Sequence, residues 1–297
     1  MSYIIAIGLY LVLLMVYGLV IAHKKVKTTD DMMTGGHKIP FIILVGSLLA
    51  TWCGGGGITG SAGVVYSGGP WVGVLTFAAP PIGIILLYFI AGKVRKSNKL
   101  TVPEIMGARY GTAASIISAL CVMLAYVGVL ATQLKAAANI LVLLCHSSGI
   151  EISHGVALAI CTVIIVIITV GGGLVSVAYS DAVSALIMIG GFFLAIPILM
   201  RAASAQGAVL PAEKTTFTGG MSGWTLLGYF LPSLALMLGD QNMLQRFASA
   251  KNSDEAKKSN IGMFIGEIMV IASIVAVATQ AAKLYPTLDT PSNVIFQ

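Results

Sequence analysis

Apolar residues run along this chain in long blocks rather than in short amphipathic stripes. Eight blocks reach the length a membrane-spanning helix needs, about 20 mostly apolar residues: roughly 2–22, 39–66, 70–92, 113–145, 153–172, 179–200, 222–245 and 259–282. Polar connectors rich in Gly, Ser, Thr and Lys separate them, and none is long enough to fold as a separate domain. The pattern predicts an all-α polytopic membrane protein with about eight membrane helices. Two of the blocks are interrupted. The second contains Thr51-Trp52-Cys53-Gly54-Gly55-Gly56-Gly57, where each glycine costs about 1 kcal/mol of helix relative to alanine. The seventh is loosened at Gly239-Asp240-Gln241-Asn242, where Asp and Asn side chains compete for the backbone's hydrogen bonds. Irregular backbone at membrane depth survives only where protein buries it or it lines a wet cavity. Two broken helices, five helices apart, predict a discontinuous-helix, inverted-repeat transporter bundle.

Composition agrees. Of 297 residues, 57% are hydrophobic and 9% charged, with a mean hydropathy of +0.95. Soluble domains carry roughly 25% charged residues, so the solvent for this surface is the lipid bilayer. The net charge of +6 looks basic, but its placement points to membrane orientation rather than to nucleic acid. Lys24, Lys25, Lys27, Lys38, Lys93, Arg95, Lys96, Lys99, Arg109, Arg246, Lys251, Lys257 and Lys258 fall in odd-numbered loops. The opposite side holds Arg201, Lys214 and Lys283. That asymmetry puts the first loop in the cytoplasm and, with eight crossings, both ends outside a cytoplasmic (plasma) membrane. Lys24, Lys25 and Lys27 follow the first apolar run instead of preceding it, as a spanning helix would have it and a signal peptide would not.

Motifs of soluble or hydrolytic chemistry find no support. Gly55 to Gly60 fits GxGxxG, but no strand precedes it and no acidic residue follows at the ribose distance. Gly220-Met221-Ser222-Gly223 spells GxSG, yet His23, His37, His146 and His154 all precede Ser222, in loops or at helix ends. Asp181 and Asp240 invite an aspartyl protease, but Met237 stands where the first glycine of GxGD belongs. Cys53, Cys121, Cys145 and Cys161 show no CxxC spacing and read as apolar fillers. The chain is not expected to be an enzyme or to need a cofactor.

Ionisable groups inside the membrane carry the functional signal. Lys135 lies roughly 15 Å inside its helix and is either one half of an internal salt bridge or the anchor of a substrate carboxylate, with Gln133 nearby as a weaker candidate. Glu267 is either its partner or an unrelated buried acid. Asp181, just inside the cytoplasmic start of the sixth block, is a helix N-terminal carboxylate or a relay for a departing cation. Asp240 faces a cavity or caps the second half of a broken helix.

Three stretches resemble the sodium:solute symporter family. Gly171-Gly172-Gly173-Leu174-Val175-Ser176-Val177-Ala178-Tyr179-Ser180-Asp181 resembles its GG-L-x-x-V-x-x-T-D signature. Gln245-Arg246 with the Ala- and Lys-rich Ala248 to Lys258 is similar to a second signature. Leu100-Thr101-Val102-Pro103-Glu104 with Arg109-Tyr110-Gly111 resembles the segment after the third helix. Ser180 and Ser184 depart from a usual threonine and a common glutamine. Trp52 matches the choline-carrying branch, but Val129 and Asp240 stand where further aromatic faces for a quaternary ammonium are expected, which disfavours choline.

The resemblance implies a leucine-transporter-type fold within one transporter domain, 1–297: a leading helix at 2–22, a first five-helix repeat at 39–202 and a partial second repeat at 222–297. It implies sodium as the coupling ion, held by backbone carbonyls near Ala50 and Cys53, with Asp181 on the cation's exit route. The remaining ligands would come from a ninth helix starting near Pro291 and lie beyond Gln297, so the chain reads as C-terminally truncated. A small organic solute, carboxylate-bearing if Lys135 anchors it, would sit among Trp52, Gly54, Gly55, Gln133, Lys135, Asp240 and Gln241. The alternative is a transport-incompetent membrane subunit or assembly partner.

Overall fold

The computed structural model of the chain describes residues 2–288 and 290–296. Their regular structure is helical, and pairing of extended backbone among them is limited to one isolated bridge from Ile39 to Ala250. In chain order the helices are α1 (Ser2–Lys25), α2 (Thr29–Thr34), α3 (Phe41–Trp52), α4 (Gly55–Gly68), α5 (Pro70–Phe77), α6 (Ala79–Ser97), α7 (Val102–Tyr110), α8 (Thr112–Ser147), α9 (His154–Ala205), α10 (Gly223–Gly239), α11 (Gln241–Ser249) and α12 (Ser253–Leu284).

Five helical stretches of the described residues are long and apolar enough to cross a membrane: Ile4–Lys25, Pro70–Ser97, Thr112–Ser147, Gly173–Ala205 and Ser253–Leu284. The broken pair Phe41–Trp52 and Gly55–Gly68 makes a sixth when counted as one span. The fifth and seventh of the eight expected blocks are helical but shorter. One is His154–Ile167; the other is α10, which ends where Asp240 turns extended (φ −67°, ψ 114°). The fifth and sixth blocks form one continuous run, α9, broken only at Gly173 (φ 58°, ψ −162°). That conformation is open essentially to glycine alone.

The ends of the elements follow their residues. Thr28 and Asp31 form a reciprocal capping box at the start of α2. Thr101 accepts from the Glu104 amide at the start of α7, and Pro103 falls in the first turn, where a missing N–H costs nothing. Asn252 accepts from Glu255 N, 2.8 Å, and Asp254 and Glu255 favour the positive end of α12. Ser222 of the GxSG string caps α10 by accepting from Thr225 N.

The chain divides into two compact units, each drawn from three stretches. The first comprises Met1–Thr51, Ala91–Ser184 and Gln241–Ser259. In it α7 folds back on α8, and α11 packs on α2. Arg95 Nε donates to Ala250 O (2.6 Å) and the His37 ring bonds Ala248 O (2.7 Å). A Cβ on Gly46 would lie 2.6 Å from Ala182 Cα, so α3 and α9 touch backbone to backbone there.

The second unit comprises Trp52–Ile90, Ala185–Asp240 and Asn260–Gln297. Its core joins Ala62, Val65 and Tyr66 of α4, Phe192 of α9, Val270, Ile274 and Val277 of α12, and Val294. The helical turn Pro291–Phe296 packs on α4, where a Cβ on Gly63 would lie 3.2 Å from Ser292 backbone. Tyr66 donates its hydroxyl to Tyr285 O, 2.9 Å, and Asn260 Nδ2 donates to Ile84 O, 2.6 Å. The Tyr66 hydroxyl and the Asn260 amide nitrogen thereby find acceptors inside an apolar core, while Asn260 Oδ1 stays buried without a partner among the described residues.

Candidate functional site

Two polar clusters stand out, one in each unit. The first surrounds the break in the second block. Trp52 ends α3, Cys53 and Gly54 lie outside helix, and Gly54 adopts an extended conformation (φ −70°, ψ 162°) that caps α4. Ala50 lies in the last turn of α3, and Gly55 opens α4. A helix C-terminus leaves its last carbonyls without intrahelical donors, and its dipole favours cations. Glu267, from the middle of α12, is 3% exposed. Its Oε2 accepts from the Cys53 thiol at 3.3 Å, and the Trp52 side chain also hydrogen-bonds this carboxylate. All three residues belong to the second unit.

The second cluster lies wholly in the first unit. Arg246 of α11 is 5% exposed. Its Nη2 lies 3.0 Å from Asp181 Oδ2, and its Nε donates to Ser47 Oγ at 2.7 Å. Ser47 in turn donates to Asp181 Oδ2 at 2.8 Å. The guanidinium's NH1 group reaches Asn242 O at 3.4 Å. Among the described residues this is the one ion pair. Charge is matched and each guanidinium nitrogen reaches an acceptor, as burial demands.

The remaining candidates are spread out. Gln241 Oε1 accepts from Val102 N (2.6 Å) and its Nε2 donates to Leu100 O (3.1 Å), so its amide ties α11 to the start of α7. The neighbouring Asn242 N donates to the Tyr126 hydroxyl, 3.1 Å. Asp240 is half-buried at the break between α10 and α11. Lys135 is exposed on α8, Gln133 is half-buried on the same helix, and the described residues include no ion pair to Lys135. No group of three or more His, Cys, Asp or Glu among the described residues forms a transition-metal site.

Sequence reading missed Ser47 as a partner of Asp181, counted Arg246 with the loop bases, and gave Cys53 a backbone role while leaving its thiol as filler. A signal was present for Arg246, which stands in the second signature stretch on a short helix with an apolar face, Met243, Leu244 and Phe247 being buried with it. Ser47 carried none, because a lone serine in an apolar helix is commonplace.

Comparisons with known proteins agree with this architecture. The model of the family described as "Sodium:solute symporter family" matches residues 32–293. A high-affinity choline transporter 1 of Torpedo marmorata is 27% identical over 295 residues, 91% of this chain and 49% of that protein. Its counterpart in Caenorhabditis elegans is 24% identical over 287 residues, 90% of this chain and 48% of the relative. The chain thus spans about half the length of these relatives. Among solved structures, a Na+-coupled sialic acid symporter in a substrate-bound outward-open state superimposes with a TM-score of 0.75 at 18% identity. That match covers 99% of this chain and 64% of the other, and its fold is of the leucine-transporter type.

Proposed function

Because the chain belongs to the sodium:solute symporter family, we propose that it carries out sodium-coupled symport of a small organic solute across the plasma membrane by alternating access, with its N-terminus outside. The observation that supports this most directly is the helix break at Cys53–Gly54. There α3 ends, and the carbonyls of a helix's last turn lack intrahelical donors and lie at the end of its dipole that favours a cation. Sodium is held by the carbonyls of Ala50 and Cys53, and solute contacts come from Trp52, Gly54, Gly55, Gln133, Lys135 and Asp240. Gln241 acts through the α7 backbone it holds. Asp181 lies on the inward route of the cation, where Arg246 neutralises it, so release requires the guanidinium to move aside or a cation to take its place. Coupling follows if sodium and solute each stabilise the same occluded conformation.

Lys135 supports a carboxylate-bearing solute, since a cation at membrane depth is retained for an anionic partner. Choline is the second reading, favoured by the names of the matched relatives. The experiment is uptake into proteoliposomes holding the purified chain, with an inward sodium gradient and a panel of labelled sialic acid, amino acids, organic acids and choline. Sodium-dependent accumulation of an acid, competed by other acids and lost in Lys135→Ala, supports the first reading. Accumulation of choline alone supports the second. No accumulation above empty vesicles sinks symport by this chain.

A further inference from the structure

Among the described residues, Glu267 forms no ion pair with a basic side chain. It lies mid-helix in α12, 3% exposed, and the residues one turn away on that helix, Met263, Phe264, Val270 and Ile271, are apolar. Its partners, the Cys53 thiol and the Trp52 side chain, are neutral donors. The basic residues of the same unit are engaged or distant. Lys214 stands over the Tyr66 ring, 4.3 Å from its centroid, and Lys283 is about 24 Å further along α12 at 1.5 Å per residue. Arg201 makes no ion pair with it among the described residues. An ionised carboxylate held this way is costly, at several kcal/mol even after relaxation, so the site calls for a counter-charge that the described residues of its unit do not supply.

The side chain is also not placed at random along the bundle. Both hydrogen bonds go to the two residues that end α3 and begin the break, Trp52 and Cys53. The thiol is a weak donor and gives way readily. A hard monovalent cation prefers carboxylate and carbonyl oxygens to sulfur. The carboxylate of Glu267 and the carbonyls that end α3 are therefore a matched donor set, with thiol and indole holding the carboxylate in place until the ion arrives.

We propose that Glu267 is a charged ligand of the coupling cation, binding sodium together with backbone carbonyls at the Trp52–Cys53 break and releasing its hydrogen bonds to Cys53 and Trp52 as it does so. This deepens the sodium-coupled reading and rests on it. It adds a ligand from α12 to a site otherwise made of main-chain oxygens, and it makes the Trp52 indole a local reporter of occupancy.

The chain has three tryptophans, Trp52, Trp71 and Trp224, so Trp71→Phe with Trp224→Phe leaves Trp52 as the single emitter. The test is a sodium titration of its fluorescence in the purified, lipid-reconstituted chain, with N-methylglucamine chloride holding ionic strength constant. A saturable sodium-specific change is expected. E267Q, which keeps the shape and loses the charge, is expected to weaken sodium at least about tenfold, and E267D to retain measurable binding. A parent without any sodium-specific change, or E267Q with unaltered affinity, overturns the proposal. Should E267Q fail to fold, E267D binding sodium as tightly as the parent counts against it, and weakened binding supports it. The readout needs no transport: uptake that fails beside a normal titration removes symport and leaves the Glu267 site standing.

Discussion

Arg246 and Asp181 face each other at 3.0 Å with Ser47 bonded to both, Arg246 Nε at 2.7 Å and Asp181 Oδ2 at 2.8 Å from its hydroxyl. Three helices, α3, α9 and α11, are thereby joined by one buried triad within one unit. Removing one member of a buried pair leaves the other charge stranded, at about 3–5 kcal/mol when burial is complete. The Asp181 side chain keeps 23% exposure against 6% for Arg246, so stranding the arginine costs more than stranding the aspartate.

Asp181→Leu should therefore lower the thermal midpoint in detergent further than Arg246→Met does. The double variant should recover part of the loss, because an apolar pair of similar volume replaces the ion pair at little net cost. A double-mutant cycle measures the coupling. Strict additivity of the two single changes would show that the ion pair contributes nothing.

One residue before Asp181's partner Ser47, α3 and α9 meet without room for a methyl group. The Cβ of Gly46→Ala would stand 2.6 Å from Ala182 Cα and 2.8 Å from its Cβ. The obstacle is backbone, which cannot swing aside as a side chain would, so about 1–3 kcal/mol of overpacking is expected. Gly128→Ala is the control: nothing lies within 4 Å of a Cβ there, and it should be neutral or slightly stabilising as a helix-interior change. Equal melting temperatures for the two variants would contradict the close approach.

Gln241 is engaged by backbone on both ends of its amide. Gln241→Leu keeps the bulk but leaves Val102 N and Leu100 O without that partner, at about 1–3 kcal/mol for buried groups. Hydrogen exchange in the peptide 100–104 should accelerate in the variant with no solute or sodium present. If exchange there is unchanged, Gln241 does not hold the start of α7.

What the sequence displayed and what it hid divide along physical lines. Apolar block length and glycine placement are local properties, so the broken second helix, the extended residue at Asp240 and the break at Gly173 were all legible, the last as the gap between two blocks. Span length was less so: the fifth block reads as a full span, yet its apolar helix is only His154–Ile167. The triad was illegible because its members are separated by 134 and 65 residues, and hydrophobicity does not say which helix faces meet. Glu267 was visible as a buried acid, but its partners were not. Cys53 looks like filler until α12 is laid beside the break.

Outside the spans, Asp31 offers a pH test with a defined sign. Its carboxylate accepts from Lys27 N (3.1 Å), Thr28 N (3.0 Å) and Thr28 Oγ1 (2.9 Å), while its own amide donates back to Thr28 Oγ1 at 3.1 Å. The bond from the Lys27 backbone, then the Thr28 hydroxyl and amide and the Lys38 charge, hold its carboxyl below the usual aspartate range. A depressed value means that folding of α2 gains from ionised Asp31 at any pH above the ordinary aspartate value of about 3.9. That gain disappears as pH falls through the lowered value, because folded and unfolded forms then bind the proton alike. Asp31→Asn should loosen the 27–34 segment at pH 7 and make no difference at the acid end, with hydrogen exchange corrected for its intrinsic rate as the measure. An Asp31→Asn penalty that persists undiminished at the acid limit, where Asp31 is protonated, would mean that shape, not charge, holds the cap.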